Sequence, residues 1–484
     1  MAVRNTNLAF ARDEMLEAQL PPTSERGVIK WIRENLFSTP LNAALTLVAL
    51  YVVYNIVAGF YPWISNSVWV ADSQKECRDI VTGMSGEGAT GACWALIRAR
   101  WHQFMFGFYP PTEYWRPILT LSLLFVALAP VLFAGKNKSI LILLASTTFL
   151  LFVTLVLGDG NISHVVFITL GMIALTALGY LAPVQLYWVT AVYPFLSIFL
   201  LWGGSFWAPF GALIGFVVWG VVYNLLQERF EAVVSFTLGL FFAAIWWFGL
   251  QGFVTDMLLT GLPLELEFVD SDRFGGFLLA LTIGVSAIAA SLPVGVLLAL
   301  GRQSDMPLVK ILSVGFIEFV RGVPLITMLF TASLLLQYFL PPRTNFDLIL
   351  RVIILVTFFS AAYLAEVIRG GLAALPTGQF EAANALGLNY WQAQRLIIMP
   401  QALKVSIPGI VSSFIGLFKD TTLVAYVGLM DPLKGVTAIV RADMAWKGIY
   451  WEPYIFVGII FFAFCFGMSR YSLYLENQLK TDHR

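Results

Sequence analysis

Histidine and cysteine are nearly missing: there are three of each in 484 residues. Scattered as they are, they assemble no metal-ligand spacing and no Cys/His nucleophile pair, and neither H-E-x-x-H nor G-x-S-x-G occurs. No G-x-x-x-x-G-K-[ST] phosphate cradle occurs either, since Gly135-Lys136 lacks the upstream glycine and the following Ser/Thr. The chain is therefore expected to hydrolyse no ATP itself and to hold no catalytic residue, metal or cofactor of its own. Charge is also scarce. Asp, Glu, Lys and Arg make up 12% of the residues and balance to zero, where soluble domains approach a quarter. That balance points away from a nucleic-acid partner. With 59% hydrophobic residues, an all-α polytopic membrane protein is expected, its apolar helices covered by membrane lipid.

No short apolar stretch with a cleavage site opens the sequence. Arg4, Arg12, Arg26, Lys30 and Arg33 mark 1–40 as a cytoplasmic tail. Within it, Trp31, Ile32, Leu36 and Phe37 lie among basic residues, which fits a helix on the membrane surface or an ordinary solvated helix leading into the first span. A first span is expected over 41–62. Residues 63–116 carry many charges and read as a periplasmic loop. From 117 to 227 only Lys136, Lys138 and Asp159 are charged. Breaks at GKNK (135–138), GDGN (158–161), Pro183, WGGSF (202–206) and QERFE (227–231) divide that stretch into five spans, and a sixth runs to Leu250. At Pro183 and WGGSF a kinked helix with a re-entrant piece is the alternative. Residues 251–274 form an acidic loop, expected to be periplasmic. Five more spans follow at about 275–300, 312–340, 348–371, 402–427 and 454–475, which makes about 12 transmembrane helices, and 477–484 is a second cytoplasmic tail. Lys136, Lys138, Arg302, Lys310, Arg470 and Lys480 all fall on one side under that count, so both termini are expected in the cytoplasm.

One long mixed polar segment separates two of the later spans: EAANALGLNYWQAQRLIIMPQAL, Glu381 to Leu403. Its grammar is two short helices with a bend. Thr377, after Pro376, can cap the first and Gly387 suits the left-handed position that ends it; Asn389 with Gln392 can cap the second before Pro400. Glu381-Ala382-Ala383, then Gly387, Ile397, Met399 and Pro400, resembles the EAA loop of ABC importer permeases, with Met for the usual Leu. EFVRGVPLI (318–326), SAAYLAEVIRGG (360–371) and LFKDTTLVAYVG (417–428) extend the resemblance over roughly 270–476, to the polar amino-acid branch of that superfamily.

The resemblance implies a type I ABC importer transmembrane domain over 275–476, forming half of a translocation pore in a bacterial inner membrane. The N-terminal multi-span extension is similar to that of the M-type permeases of general L-amino-acid transporters. The implied partners are a second, Q-type permease, two ATPase subunits that bind ATP and Mg, and a periplasmic amino-acid-binding protein. By the same resemblance Glu381, Ala382, Ala383, Gly387, Ile397 and Pro400 form the loop that couples to the ATPase.

Charges within apolar spans are the remaining candidates for the translocation path or its gate. Glu366 and Arg369 stand three apart and share a helix face, as do Glu318 and Arg321, which precede a bend at Gly322 and Pro324. Lys419 and Asp420 are adjacent, so their side chains diverge by about a hundred degrees. Structural pairing is the other reading of each. Cys77 and Cys93 share the 63–116 loop, where either a disulfide or two thiols that never meet fits the sequence. Two rivals need no EAA loop: a proton-coupled secondary transporter using Glu366 or Asp420, and a non-transporting membrane scaffold.

Overall fold

The computed structural model describes residues 27–133, 136–157, 162–335, 338 and 347–479. The tail 1–26, the GDGN break and the tail from 480 lie outside the described residues. The chain divides into two compact units, Met1–Ala95 and Leu96–Arg484.

In the first unit, α1 (Gly27–Asn35) precedes α2 (Pro40–Ser65). Thr39 caps α2 by accepting from the Asn42 N–H, and Pro40 takes the first helical position, where no N–H is needed. No residue of α2 is buried by the protein, the state of a helix whose solvent is lipid. Beyond it, α3 (Gln74–Ser85) starts on the Ser73 cap. Cys77 is disulfide-bonded to Cys93, with 6.0 Å between the Cα atoms. Backbone bonds from Val68 to Ala92 and from Trp94 back to Val68 close the loop onto itself. Trp69 stacks on Trp94 at 5.6 Å, and Trp63 tilts against the same ring.

The second unit is a helical bundle: α4 (Trp101–Phe106), α5 (Trp115–Leu132), α6 (Asn137–Leu157), α7 (Ile162–Leu181), α8 (Leu186–Trp202), α9 (Trp207–Leu226), α10 (Ala232–Ile245), α11 (Gln251–Gly261), α12 (Gly276–Gln303), α13 (Pro307–Gly322), α14 (Leu325–Phe330), α15 (Leu348–Ala373), α16 (Thr377–Ala385), α17 (Tyr390–Ala393), α18 (Met399–Asp420), α19 (Pro432–Ala442) and α20 (Trp451–Leu479). Its loops sort into two ends. At one, Arg116 donates to the Glu267 carbonyl at 2.7 Å, β1 (Gly204–Ser205) pairs antiparallel with β2 (Glu265–Leu266), Gly275 bridges Met430, and Arg100 pairs with Asp443. At the other, Tyr471 donates to the Leu132 carbonyl, Lys136 meets the Tyr474 hydroxyl at 2.5 Å, and Arg302 reaches Glu366. Every contact joins loops separated by an even number of spans in the twelve-span reading.

Among the described residues ten helices are long and apolar enough to cross a membrane, where twelve spans were expected. Of the other two, the segment near 162–182 contains a shorter apolar helix, Val165–Leu181. The expected 312–340 span is no single helix. Pro324 has no N–H to donate and forces Val323 into an extended conformation (φ −103°, ψ 130°), so α13 ends at Gly322; α14 follows, and then a π turn, Thr331–Leu335. The chain also breaks at Pro183 and at Gly203-Gly204, where both glycines have positive φ. The expected acidic loop begins late, because α10 continues through a π turn and α11 to Gly261.

Among the described residues, three apolar cores hold the unit together. One lies among α5–α8, around Val126, Leu144, Met172 and Leu186. A second, at the Arg116 end, joins Tyr109, in the loop after α4, and Leu201 of α8 to Phe274, Leu279, Val352 and Val424. The third, at the Glu366 end, gathers Leu300, Leu364, Ile368, Ile398 and Ala402. Contact between α12 and α15 is close: a Cβ added at Gly295 would stand 2.9 Å from Leu364 Cβ. Small residues allow such approach between membrane helices, where packing and hydrogen bonds must replace the hydrophobic drive of water.

Candidate functional site

The polar segment after α15 folds as an elbow whose corner is tied at every strand of its backbone. Pro376, with φ −60°, sets the entry to α16. Thr377, expected as the cap, is the first residue inside the helix, and no side chain caps this end. At the exit, Leu388 N–H bonds the Ala383 carbonyl at 3.3 Å and Gly387 N–H bonds that of Asn384 at 2.9 Å. Gly387 itself stands at φ 69°. This is the paired-bond helix stop that needs a left-handed residue. A reciprocal capping box then starts α17: Asn389 accepts from Gln392 N–H at 2.9 Å while the Gln392 side chain accepts from Asn389 N–H at 3.1 Å.

The second helix is not short. From α17 it passes through a π turn, Gln394–Ile398, directly into α18. Pro400 does not end it, since the widened turn shifts the bonding pattern just where proline can supply no N–H. The expected polar loop between two spans is thus one short helix, a corner, and the protruding start of the next span.

Burial divides the elbow into two faces. Ala383 and Ile398 are each 1% exposed, and Phe380, Ile397 and Met399 pack on the core at this end of the bundle. Gln401 donates to Gln379 at 2.9 Å, which ties α18 to α16. Glu381, Ala382, Gly387 and Pro400 are exposed. So are Leu386 at 71%, Trp391 at 64% and Leu396 at 64%. Ala382 and Ala383, both implied as coupling residues, are neighbours on a helix and point about a hundred degrees apart, and only Ala382 faces out.

At the same end of the bundle a charge cluster joins three helices. Glu366 of α15 accepts from Arg369 at 2.9 and 2.5 Å through one oxygen. Its other oxygen lies 3.2 Å from Arg302 of α12 and 3.8 Å from Arg321 of α13. Arg302 also donates to Glu318 at 2.9 Å. Glu366 and Arg369 pair as their spacing suggests. Glu318 and Arg321 do not bond each other among the described contacts: Glu318 goes to Arg302, and Arg321 leans toward Glu366 and over the Tyr363 ring. Glu366 and Arg302 each keep 25% of their side-chain surface, against 55% for Glu318, so Glu366 is the more enclosed carboxylate. Opening this end by separating α12, α13 and α15 must pull Glu318 and Glu366 away from Arg302 and Glu366 away from Arg321, while the Glu366–Arg369 pair stays together on α15.

Lys419 and Asp420 sit elsewhere, near the Arg116 end, where α18 gives way to a 3-10 turn ending at Gly428. Lys419 is exposed and Asp420 half-buried; among the described residues neither makes a salt bridge. Two cationic residues escaped the sequence reading. Arg302 served there only as a topology marker. Arg351, 6% exposed within the first turns of α15, donates to the Ser333 carbonyl at 2.8 Å and so braces the π turn after α14. A lone charge inside an apolar run was the available signal for Arg351.

The family model described as "Binding-protein-dependent transport system inner membrane component" matches residues 291–481. The chain is 57% identical over 479 residues, 99% of its length and 100% of the relative's, to the glutamate/glutamine/aspartate/asparagine transport system permease protein BztC of Rhodobacter capsulatus. It is 34% identical to the inner membrane amino-acid ABC transporter permease protein YhdY of Escherichia coli, over 95% of this chain and 94% of that one. Among solved structures, an amino acid ABC transporter crystallised with histidines matches at 29% identity with a TM-score of 0.37, over 41% of this chain and 90% of that chain.

Proposed function

The chain belongs to the binding-protein-dependent transport system inner membrane components, as a permease subunit of an ABC amino-acid importer, and on that premise we propose that its 376–400 elbow carries the stroke of a separate ATPase to the charge cluster around Glu366. Family membership sets aside the secondary transporter and the scaffold. The protein is a multi-pass permease of the inner membrane, and hydrolysis of ATP resides in another subunit.

The observation that carries the proposal is the outer face of the elbow. Leu386, Trp391 and Leu396 stand out on a corner that the paired-bond stop at Gly387 and the Asn389 capping box hold rigid. Exposed apolar side chains on a polar segment outside the lipid mark a protein-binding surface. On this reading the Glu366 end faces the cytoplasm and the Arg116 end the periplasm, with both termini cytoplasmic. The complete importer pairs this chain with a Q-type permease, two ATPase subunits and a periplasmic binding protein, and its cargo belongs to the acidic amino acids and their amides that the Rhodobacter relative's name specifies. The elbow and the cluster share the core around Ile368 and Ile398, so a push on Trp391 reaches α15 through packed side chains and shifts a two-state interface. Glu318, Arg321, Glu366 and Arg369 then form the inner gate, while Lys419 and Asp420 line the path nearer the periplasm.

Trp391→Ala and Leu386→Ala test this. Each variant is co-purified with its partner permease, and ATPase retention is measured together with hydrolysis stimulated by loaded binding protein. Weaker retention and lost stimulation are expected; unchanged values for both variants overturn the proposal.

A further inference from the structure

The helix that precedes the first span has a face that none of the described residues buries. Every residue of α1 is solvent-accessible in the folded chain, and none is buried. At 100° per residue, Trp31, Val28, Ile32 and Ile29 fall within about 160° of its circumference, while Arg33, Lys30 and Glu34 fall within about 100° on the other side. Val28, Ile29 and Trp31 are 72, 59 and 58% exposed. Asn35, which lies in the apolar sector, spends its amide on the Trp31 carbonyl at 2.9 Å. Lys30 pairs loosely with Glu34 at 3.7 Å, and Arg33 completes the basic edge.

A tether fixes where this face sits. Leu36 and Phe37 N–H both bond the Ile32 carbonyl and close the end of α1 in a turn. The Thr46 hydroxyl then donates to the Leu36 carbonyl at 2.8 Å. Thr46 lies six residues past Pro40, the first residue of α2, which is about 9 Å along the helix axis. The end of α1 is therefore held beside the second turn of an apolar membrane span. The 26 residues of α2 rise about 39 Å against about 30 Å of hydrocarbon, so its second turn falls close to the expected boundary between headgroups and acyl chains.

We infer that α1 lies in the membrane surface, with Val28, Ile29, Trp31 and Ile32 sunk among the acyl chains of the leaflet at the N-terminal end of α2, and with Lys30 and Arg33 at the level of the phosphates. The occupant of the face is phospholipid. Amphipathic helices of this kind bury their apolar side about 5–10 Å into the boundary, which matches the depth set by Thr46. Trp31 suits the site because indole prefers that polar–apolar border, and the lysine and arginine stems can follow the surface while their charges reach phosphate. The inference stands apart from the coupling proposal, since it concerns neither the elbow nor the charge cluster.

The test uses full-length protein in phosphatidylglycerol-containing liposomes. Spin labels are placed singly by cysteine substitution at Ile29, Lys30, Ile32 and Glu34, on a Cys465→Ala background with the Cys77–Cys93 bridge kept oxidised. Labels at 29 and 32 should collide several-fold more often with oxygen than with a water-soluble nickel chelate, and labels at 30 and 34 should do the reverse. Equal nickel access at all four sites would mean a solvated helix and overturn the inference. Occlusion of 29 and 32 from both reagents would mean a protein cover and overturn it equally. A second measurement needs no substitution: photo-activatable phosphatidylglycerol should leave adducts on the peptide containing Trp31, and adducts on α2 without any on residues 28–37 would count against the inference.

Discussion

Glu366 and Arg302 lie 64 positions apart, yet their side chains meet at 3.2 Å where α12 and α15 end together. The contact makes Glu366 the hub of the cluster, because three guanidinium groups converge on one carboxylate whose surface is three-quarters covered.

Glu366→Gln should therefore be the most disruptive single change in the cluster. It leaves Arg302, Arg321 and Arg369 facing one another, at an expected cost of about 1–2 kcal/mol, between the values for exposed and buried pairs. Glu318→Gln removes a carboxylate that is 55% exposed and should cost under about 1 kcal/mol. Uptake and hydrolysis in the absence of binding protein are the measurements. Glu366→Gln should raise unstimulated hydrolysis relative to uptake, whereas Glu318→Gln should change their ratio little. The opposite ranking would remove Glu366 from its central place.

Gly387→Val should uncouple without unfolding. No atom lies within 4 Å of a Cβ added there, so the substitution meets no clash. It meets only the left-handed backbone, on the order of 1–2 kcal/mol for a branched side chain. The mutant chain should reach the membrane and assemble in the importer while uptake and stimulated hydrolysis both fall. Full activity in an assembled complex would show that the corner has no coupling role.

Ala383→Trp should behave differently, through the permease rather than the ATPase. Ala383 is buried against the bundle, and a large ring there overpacks the elbow by about 1–3 kcal/mol. The amount of assembled permease should drop. Ala382→Trp, on the exposed side, should leave assembly intact and weaken ATPase retention. Pull-down of the ATPase, normalised to permease content, separates the two.

These contrasts mark the limit of what the sequence could disclose. Both sides of the elbow's corner were legible, because Gly387, Asn389 and Gln392 act on backbone groups within four residues of themselves, whereas the cap expected of Thr377 at its entry does not form. The Glu366–Arg369 bond was legible for the same reason of local spacing. Which way Ala383 points was not, since two small apolar residues carry no sign of which faces the core. Arg302 could not be matched to Glu366 and Glu318 without knowing how α12, α13 and α15 lie together, and spacing instead suggested that Glu318 bonds Arg321. Pro400 reads as a helix stop by propensity; the π turn that accommodates it depends on packing of Gln394 and Ile398, both buried. The bend at Gly322 and Pro324 was legible within the 312–340 span, but the full break into separate helices, with Val323 extended, was not, because total hydrophobicity hides the missing proline N–H.

At the Arg116 end, the Arg100 guanidinium beside Asp443 holds that carboxyl below the usual carboxylate range. A carboxyl whose folded pKa is depressed stabilises the fold at pH values above its unfolded pKa, and the contribution disappears as pH falls through the folded value. The contact between α4 and the turn before α20 should therefore loosen below about pH 4, near the reference value for Asp. Arg100 is 43% exposed, so the effect should be small and salt-sensitive. Hydrogen exchange of residues 443–450 at pH 3 and pH 7, compared with Asp443→Asn, checks it; an Asn variant with unchanged pH dependence would exclude this pair.

Reduction should open the loop after α2. Sixteen positions separate Cys77 from Cys93, and a closed loop of that length contributes about 3 kcal/mol on the chain-entropy estimate. Cys77→Ser should speed proteolysis between residues 66 and 95 while leaving α2 in the membrane. Labelling of both thiols in unreduced, denatured protein would show that no bridge forms.

The π turn at Gln394–Ile398 also sets the register of the span that follows it. A turn widened in this way takes up one residue more than an α-turn, and one residue corresponds to about 100° of rotation and 1.5 Å of advance. Were the helix uniform from Tyr390 onward, Ala402, Ser406 and Ile410, which are buried now, would rotate out of the bundle. A different stripe of α18 would then meet α15. The single extra residue thus acts as an indexing tooth: it decides which face of this helix belongs to the core and which is left uncovered.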